Sequence, residues 1–259
     1  MNKIIILMYH ILDTPKTDKE SKYCCLPKNF SKQMSFLANS DYSLINLDDV
    51  DDILSGKKVM NSTCVAVTFD DGFEDFYHNA FPILKKFDIP ATLFMVADRV
   101  GQSNDWMHKH GSPKRNLLNE NQLADISNSG VLIGSHTCTH PKLNEISLNK
   151  EMLENEIFNS RQALEKQLNK KVEHFAYPYG LFDEEVVQVV KNAGYKTACS
   201  TRSGFNRLEI QPFLLRRIEV FGSDNLWQFK QKLKFGTNDM PLTFHLSYYL
   251  SRFKEKFLR

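Results

Sequence analysis

Residues 64–72 read CVAVTFDDG, a short and mostly apolar run that ends at two carboxylates and a glycine. A run of this length and composition predicts a buried β-strand. Asp70 and Asp71 follow the strand directly, and Gly72 lets the chain turn after them. Because successive side chains of a strand point in opposite directions, the two carboxylates are expected to have different roles.

The same alternation of short apolar runs and amphipathic stretches continues on both sides of this strand. Further strands are predicted at 4–8, 42–45, 91–96, 131–134, 172–176, 196–199 and 214–220. Strand–helix alternation without hairpin signals predicts an α/β fold with a mainly parallel sheet and helices outside, either closed into a barrel or doubly wound. No internal repeat or low-complexity linker divides the chain, so we expect one domain over residues 1–259.

Local signals predict three details of the helices. Asn119 is expected to begin one helix, which Gly130 ends, and Ser223 is expected to begin the last helix. Pro82 lies inside the apolar stripe that follows residues 64–72 and is expected to kink that helix.

The overall composition excludes several classes of protein. Hydrophobic residues make up 42% and charged residues 25% of the 259 residues, which excludes global disorder and a coiled coil. Lys+Arg 33 against Asp+Glu 31 leaves a net charge of +2, too balanced for a protein that mainly binds nucleic acid. Five cysteines without a C-x-x-C pattern predict reduced thiols. Because the apolar run at 4–8 is too short for a signal peptide or a membrane span, we expect a cytoplasmic protein.

Two further polar clusters follow predicted strands, where barrels and doubly wound sheets carry their reactive residues. Residues 136–140 read HTCTH; if this segment forms a helical turn, His136 and His140 point to one side and can bind the same ion. Residues 175–180 read FAYPYG, a tight turn that can present backbone N–H groups at the rim of the sheet.

Two imidazoles and one carboxylate provide three protein ligands and leave positions for water and substrate, which is typical of a catalytic metal site. A second carboxylate beside such a site can accept a proton from water. Each cluster alone is a weak motif. Because all three follow predicted buried strands, we interpret them as parts of one site.

Taken together, the three clusters resemble the motifs of the polysaccharide deacetylases of the NodB-like carbohydrate esterase type, from residue 64 to about residue 200 and more loosely beyond. The resemblance implies a single-domain, distorted (β/α)7-type barrel with mainly parallel strands. It also implies that the chain is a metal-dependent enzyme that removes the N-acetyl group of an acetamido sugar.

The resemblance assigns roles to five residues. It implies a divalent metal, usually zinc, held by Asp71, His136 and His140. It implies that Asp70 is the general base and that the backbone N–H of Tyr179 joins the metal in stabilising the oxyanion.

The chain departs from the family pattern at the residue that orients the catalytic aspartate. Members often carry an arginine in the third motif, and here His174 or Ala176 fills that place. Arg216 and Arg217 lie on the next predicted strand and are the candidates to supply the guanidinium instead. Since side chains alternate across a strand, at most one of them is expected to face the site.

A second departure concerns the general acid. Members often carry a late histidine for this role, and His245 is the only late histidine here. Residues 4–11, however, form an apolar strand that ends in Tyr-His and resembles the opening of the branch that deacetylates poly-N-acetylglucosamine, in which the barrel is circularly permuted. In that branch the first strand supplies the histidine. We therefore prefer His10 to His245 as the general acid.

Two segments outside the motifs have two interpretations each. The polar segment 98–116, which includes Trp106, is predicted to be a long loop, either a lid that contacts the sugar or mobile surface. Residues 236–259 are interpreted as a basic C-terminal extension; within them, residues 248–259 carry four basic residues and one acidic residue among aromatics. This tail is expected either to contact the inner membrane surface or to pack on the barrel as a solvated helix.

The sequence thus predicts a metal-dependent deacetylase that acts on an N-acetylated amino sugar of a bacterial surface glycan or of its lipid-linked precursor. Two alternatives remain open, a catalytically inactive carbohydrate-binding barrel and a deformylase or other amide hydrolase of the same fold. The sequence assigns neither the sugar nor the oligomeric state.

Overall fold

The computed structural model describes residues 2–108, 111–145 and 149–238. Its strands are β1 (Ile4–Tyr9), β2 (Ser43–Ile45), β3 (Cys64–Phe69), β4 (Ala91–Met95), β5 (Leu132–Ser135), β6 (His174–Ala176), β7 (Thr197–Cys199) and β8 (Ile218–Glu219). Its α-helices are α1 (Pro27–Ala38), α2 (Leu47–Leu54), α3 (Phe81–Phe87), α4 (Asp105–His108), α5 (Glu120–Asn128), α6 (Lys150–Leu168), α7 (Glu184–Asn192) and α8 (Leu226–Phe235).

These strands form one parallel sheet in the order β7-β6-β5-β4-β3-β1-β8, with β2 paired to the first half of β3. Leu215, just before β8, forms a parallel bridge to Cys199 at the end of β7. The sheet therefore curves round until its two edges meet. This is the distorted (β/α)7-type barrel that the resemblance implies, and the open doubly wound sheet is not formed.

The strand β1, which lies between β3 and β8, is buried along its whole length. Ile4 and Ile6 belong to a smaller cluster that includes Phe94 and the buried face of α2, whereas Ile5 and Leu7 belong to the larger core that contains the buried faces of the other helices. A strand covered on both faces has no polar side, which explains why its sequence is apolar at every position.

The helix α5 begins where it was predicted to begin, whereas the last helix does not. Asn119 caps α5, as predicted. The last helix begins two residues later than expected, because the side chain of Asn225 rather than Ser223 accepts a backbone hydrogen bond of its first turn. Pro82 lies in the first turn of α3, where proline is tolerated, and a π-helical turn (Phe76–Ala80) precedes it. The predicted kink is thus a boundary between two helical segments.

Most of the predicted C-terminal extension, residues 239–259, lies outside the described residues, and so does His245. None of the helices in the described ranges is long and apolar enough to cross a lipid bilayer. The predicted loop 98–116 contains the short helix α4, which carries Trp106.

Candidate functional site

A cavity of about 300 Å³ opens at the carboxyl ends of the strands. The polar residues that line it follow β1, β3, β5 and β7 or lie on β8; they are His10, Asp70, Asp71, His136, His140, Thr201 and Glu219. The remaining lining side chains are apolar or aromatic: Met8, Ile11, Tyr23, Phe73, Trp106, Met107 and Tyr179. The three polar clusters of the sequence therefore converge on one cavity.

Asp71, His136 and His140 form a compact group of three buried ligand atoms that all lie within 4.8 Å of one another. Oδ1 of Asp71 lies 3.6 Å from Nε2 of His136 and 3.3 Å from Nε2 of His140. Among the described residues, no other group of three His, Cys, Asp or Glu side chains has this spacing. One carboxylate and two imidazoles with room beside them are the donors that a catalytic divalent metal uses.

The protonation states suit a metal ligand set. Burial favours the neutral form of Asp71, but its hydrogen bond to His140 and the charges of the nearby histidines hold the pKa of the carboxyl well below its usual value. Burial lowers the pKa of His136 to about 4, so that its imidazole is neutral at pH 7. A carboxylate and a neutral imidazole are the forms that bind metal ions.

The ring of His136 is fixed by a hydrogen bond on the side away from Asp71. Its Nδ1–H donates to the carbonyl oxygen of Ala176 over 2.8 Å. This bond fixes the tautomer and leaves Nε2 with a free lone pair that faces the site. The carbonyl comes from β6, the strand next to β5, so the pairing of neighbouring strands positions this ligand.

The helical turn predicted for residues 136–140 is not formed. Thr137 and His140 have φ values of 67° and 64°, in the left-handed region. The hydroxyl of Thr137 donates to the carbonyl oxygen of His136 and accepts from the backbone N–H of His140, which closes a compact bend. The two imidazoles still converge, but left-handed residues and not helical periodicity bring them together.

The turn after β3 also depends on left-handed residues. Asp71 and Gly72 have φ values of 72° and 78°. A Cβ atom at position 72 would collide with the sulfur of Met95, so this position requires glycine for space as well as for conformation. The turn directs Asp70 and Asp71 to different partners, as the alternation of strand side chains predicts.

Asp70 is paired with a fully buried arginine that directly precedes β8, two strands away from β3 in the sheet. Nη1 and Nη2 of Arg217 donate to the two carboxylate oxygens of Asp70 over 2.6 and 2.7 Å, and Nε donates to the carbonyl oxygen of Ser200. Burial favours the neutral carboxyl, but the charge of Arg217 dominates and lowers the pKa of Asp70 below its usual value. Asp70 is therefore ionised and held in one orientation.

Of the two candidate arginines, Arg217 faces the site and Arg216 does not. Arg216 is exposed, and its side chain packs near Gly204. His174, one of the residues that replaces the family arginine, lies away from the cavity, where its Nε2 meets Asp48 and its Nδ1 meets Thr197. Ala176, the other replacement, contributes only its backbone carbonyl.

His10 and Tyr179 border the cavity on two sides. Nε2 of His10 lies 4.0 Å from Oδ2 of Asp70, and the imidazole is 19% exposed. Tyr179 has a φ of 58°, and its ring meets His140 edge-on with 4.6 Å between the centroids. The backbone N–H of Gly180 donates to the carbonyl of Tyr177, which closes the tight turn expected from the sequence.

Several lining residues were not assigned roles in the site from the sequence, among them Glu219, Tyr23 and Trp106. Glu219 is two positions from Arg217 within the predicted strand 214–220, so the alternation of side chains was a signal that it also faces inward. Tyr23 contacts His10 with 5.4 Å between the ring centroids. Trp106 stacks on His140, a contact between residues far apart in sequence for which no local signal exists.

Comparisons with known proteins agree with this geometry. A family model described as polysaccharide deacetylase matches residues 57–198. The Bacillus subtilis protein YxkH, named as a polysaccharide deacetylase, is 28% identical over 218 residues, which cover 84% of this chain and 71% of YxkH. The poly-β-1,6-N-acetyl-D-glucosamine N-deacetylase of Staphylococcus aureus is 31% identical over 190 residues, 70% of this chain. This chain spans 62% of the length of the staphylococcal protein.

The fold agrees with that of a solved deacetylase. The structure of the Streptococcus pyogenes deacetylase PplD in complex with acetate matches with a TM-score of 0.75 and 26% sequence identity. The match covers 88% of this chain and 97% of PplD.

Proposed function

This chain belongs to the polysaccharide deacetylase family, and we propose that it removes the N-acetyl group of an acetamido sugar in a bacterial surface glycan or in its lipid-linked precursor. The observation that carries the proposal is the convergence of Asp71, His136 and His140 beside an ionised Asp70 in one open cavity. The names of the relatives support it, since one of them acts on poly-N-acetylglucosamine and another was solved with acetate, the acid that this reaction releases.

Asp71, His136 and His140 would hold a divalent metal, and we propose zinc because two imidazoles and a carboxylate are common zinc ligands. The set fits a metal because all three side chains are buried and their ligand atoms lie within 4.8 Å of one another. When bound, the ion would polarise the acetamide carbonyl as a Lewis acid and lower the pKa of a water molecule.

Asp70 is proposed as the general base that accepts the proton of the attacking water. Its pairing with Arg217 supports this role in two ways. The guanidinium keeps the carboxylate ionised in a buried site, and its two hydrogen bonds hold the carboxylate in a fixed direction. A base held in place costs less reorganisation when the reaction occurs.

His10 is proposed as the general acid that donates a proton to the leaving amine nitrogen. It lines the cavity and lies 4.0 Å from the carboxylate of Asp70, close enough for one water molecule to return to it the proton that Asp70 accepts. The backbone N–H of Tyr179 is proposed to donate a hydrogen bond to the oxyanion of the tetrahedral intermediate. Both groups lie on the rim of the same cavity as the proposed metal ligands.

Release of acetate from N-acetylglucosamine oligomers tests the proposed function. The zinc-loaded chain should release acetate, and Asp70→Asn, which keeps the shape of the side chain, should lower the rate by at least about 100-fold. Formyl analogues distinguish a deformylase, which would release formate faster than acetate. A chain that binds the oligomers and releases neither acid would contradict the proposal and favour an inactive carbohydrate-binding barrel.

We also propose that the basic tail, residues 248–259, contacts anionic lipids at the inner membrane face. The supporting observation is its composition alone, four basic residues and one acidic residue among aromatics. The full chain should co-sediment with vesicles that contain phosphatidylglycerol, and a chain that ends at residue 238 should not. Equal sedimentation of the two chains would contradict this proposal without affecting the proposed chemistry.

A further inference from the structure

The two histidines of the proposed metal site are held in different ways. His136 has a hydrogen-bond acceptor for its second ring nitrogen, the carbonyl of Ala176. His140 has none within the described ranges, where its Nδ1 is buried without a hydrogen-bond partner. Histidines that bind metals usually donate this second N–H to an acceptor that fixes the ring. Apart from the contact of its Nε2 with Asp71, the orientation of the His140 ring therefore depends on packing.

Aromatic rings surround His140. The indole of Trp106 stacks on the imidazole with 5.0 Å between the centroids and 25° between the planes. Tyr179 and His136 meet the same imidazole edge-on, with centroids 4.6 and 4.7 Å away. A ring with a stacked neighbour on one face and edges against it elsewhere cannot rotate without losing these contacts.

The stacked residue is itself firmly placed. Trp106 is 9% exposed and lies on α4, in the segment between β4 and α5. Just before this helix, the buried side chain of Asn104 accepts the backbone N–H of Arg115 and donates to the carbonyl of Pro113. These two bonds tie both ends of the segment together around α4.

Arg115 then fixes this segment to the loop that follows β1. Its buried guanidinium donates to both carboxylate oxygens of Glu20, to Asp13 and to the carbonyl of Thr14, over 2.8 to 3.0 Å. Glu20 is 4% exposed, so this is an ion pair in the interior and not at the surface. These hydrogen bonds fix Arg115, and through it Asn104 just before α4, relative to the loop that follows β1.

We propose that Trp106 is a positioning residue for the metal ligand His140, in which stacking replaces the missing hydrogen bond. The inference rests on the metal site of the proposed function and adds a residue that acts on it from the loop 98–116. If Trp106 only filled space, its removal would affect folding but not the intrinsic affinity for a metal ion. If it holds the imidazole in place, its removal weakens metal binding.

Zinc affinity, measured by competition with a chromophoric chelator in the absence of sugar, separates the two roles. Trp106→Phe keeps an aromatic face, whereas Trp106→Leu keeps apolar bulk without one. Trp227→Phe is the matched control, because Trp227 lies on α8 and does not line the cavity. We expect Trp106→Leu to bind zinc about tenfold more weakly than the parent chain. Trp106→Phe should bind zinc less than about threefold more weakly, and Trp227→Phe should bind it as the parent chain does.

Tryptophan fluorescence gives a second readout that does not depend on a change in affinity. The sequence has two tryptophans, so Trp227→Phe leaves Trp106 as the single emitter. Cobalt(II) quenches tryptophan strongly at short range, and we expect its binding to quench Trp106 with a one-site curve. Trp106→Phe, which retains only Trp227, should be quenched less.

Three results are decisive for this inference. Folded Trp106→Leu that binds zinc within twofold of the parent chain would overturn it, as would Trp106 emission that cobalt binding leaves unchanged. These outcomes would leave the proposed function intact. A parent chain that binds neither zinc nor cobalt would overturn the metal site itself, so failure of the inference and failure of the proposed function are distinguishable.

Discussion

Replacement of Arg217 by methionine should destabilise the chain strongly, and the effect should depend on Asp70. Both side chains are buried, with 0% of Arg217 and 3% of Asp70 exposed, and two charge-assisted hydrogen bonds of 2.6 and 2.7 Å join them. Removing one partner of such a pair costs about 3–5 kcal/mol, because the other charge is left unpaired in the interior. We expect a loss at the lower end of this range, about 3 kcal/mol at pH 8.

Urea unfolding of the chelator-treated chain at pH 8 and pH 5 tests this expectation. In the parent chain the pKa of Asp70 is lowered, so its stabilising contribution is complete above the unfolded value of about 3.9 and disappears as the pH falls through the folded value. In Arg217→Met, burial without the guanidinium raises that pKa. The penalty is then present at pH 8 and decreases as the carboxyl takes up a proton at lower pH.

The double variant Asp70→Asn/Arg217→Met is the internal control. It has no buried charge left without a partner, so it should be more stable at pH 8 than Arg217→Met alone. Two results would refute the reasoning: Arg217→Met within 1 kcal/mol of the parent at pH 8, or a double variant that is no more stable than the single one. Arg217→Met should also lower the rate of acetate release by about 100-fold, because the two hydrogen bonds that hold Asp70 in one orientation are lost.

Three further predictions concern residues around the site. Burial raises the pKa of Asp75 to about 7, so the native chain binds an extra proton between about pH 4 and 7 and loses on the order of 4 kcal/mol of stability as the pH rises through that range. Asp75→Asn should remove this loss in urea unfolding, and an unchanged pH dependence would contradict the prediction. Gly180→Ala should lower kcat/KM by about 100-fold, because φ at this position is 69° and a Cβ atom would collide with Thr201. Thr201→Ala in the same chain should restore part of the activity, whereas a fully active Gly180→Ala would show that the turn tolerates the change. His10→Gln should lower the rate with an N-acetyl sugar by about 100-fold but should lower the rate of p-nitrophenyl acetate hydrolysis much less, since that leaving group needs no proton. Equal losses on both substrates would argue against a general acid at this position.

The sequence predicted the parts of the fold and site that depend on local patterns. Strands buried on both faces, such as β3, are apolar at nearly every position and so were recognisable. The carboxyl ends of parallel strands share one edge of the sheet, which is why Asp71 and His136 could be expected together. The alternation of side chains limited the candidates to one of Arg216 and Arg217. The same alternation could not show which of the two arginines faces the site, because β8 has only two residues and its register to β1 is a tertiary contact.

The predictions that differ from the structure depend on contacts between distant residues. Helical periodicity suggested a turn at residues 136–140, but the hydroxyl of Thr137 stabilises a different bend there. A tryptophan in a polar segment gave no indication that it stacks on His140. Arg115 likewise carries no signal for its partner Glu20, which lies 95 positions earlier in the chain. Contacts of this kind form only when the folded barrel brings the loops together, so the local sequence does not indicate them.

Metal content is the most direct test of the central claim, that Asp71, His136 and His140 hold a single ion. The chain is loaded with zinc, desalted and analysed for zinc per chain, together with Asp71→Ala, His136→Ala, His140→Ala and Asp70→Asn. We expect one zinc ion in the parent chain and in Asp70→Asn, and a loss of most of the zinc in each of the other three variants. One retained zinc ion in His136→Ala and in His140→Ala would contradict it.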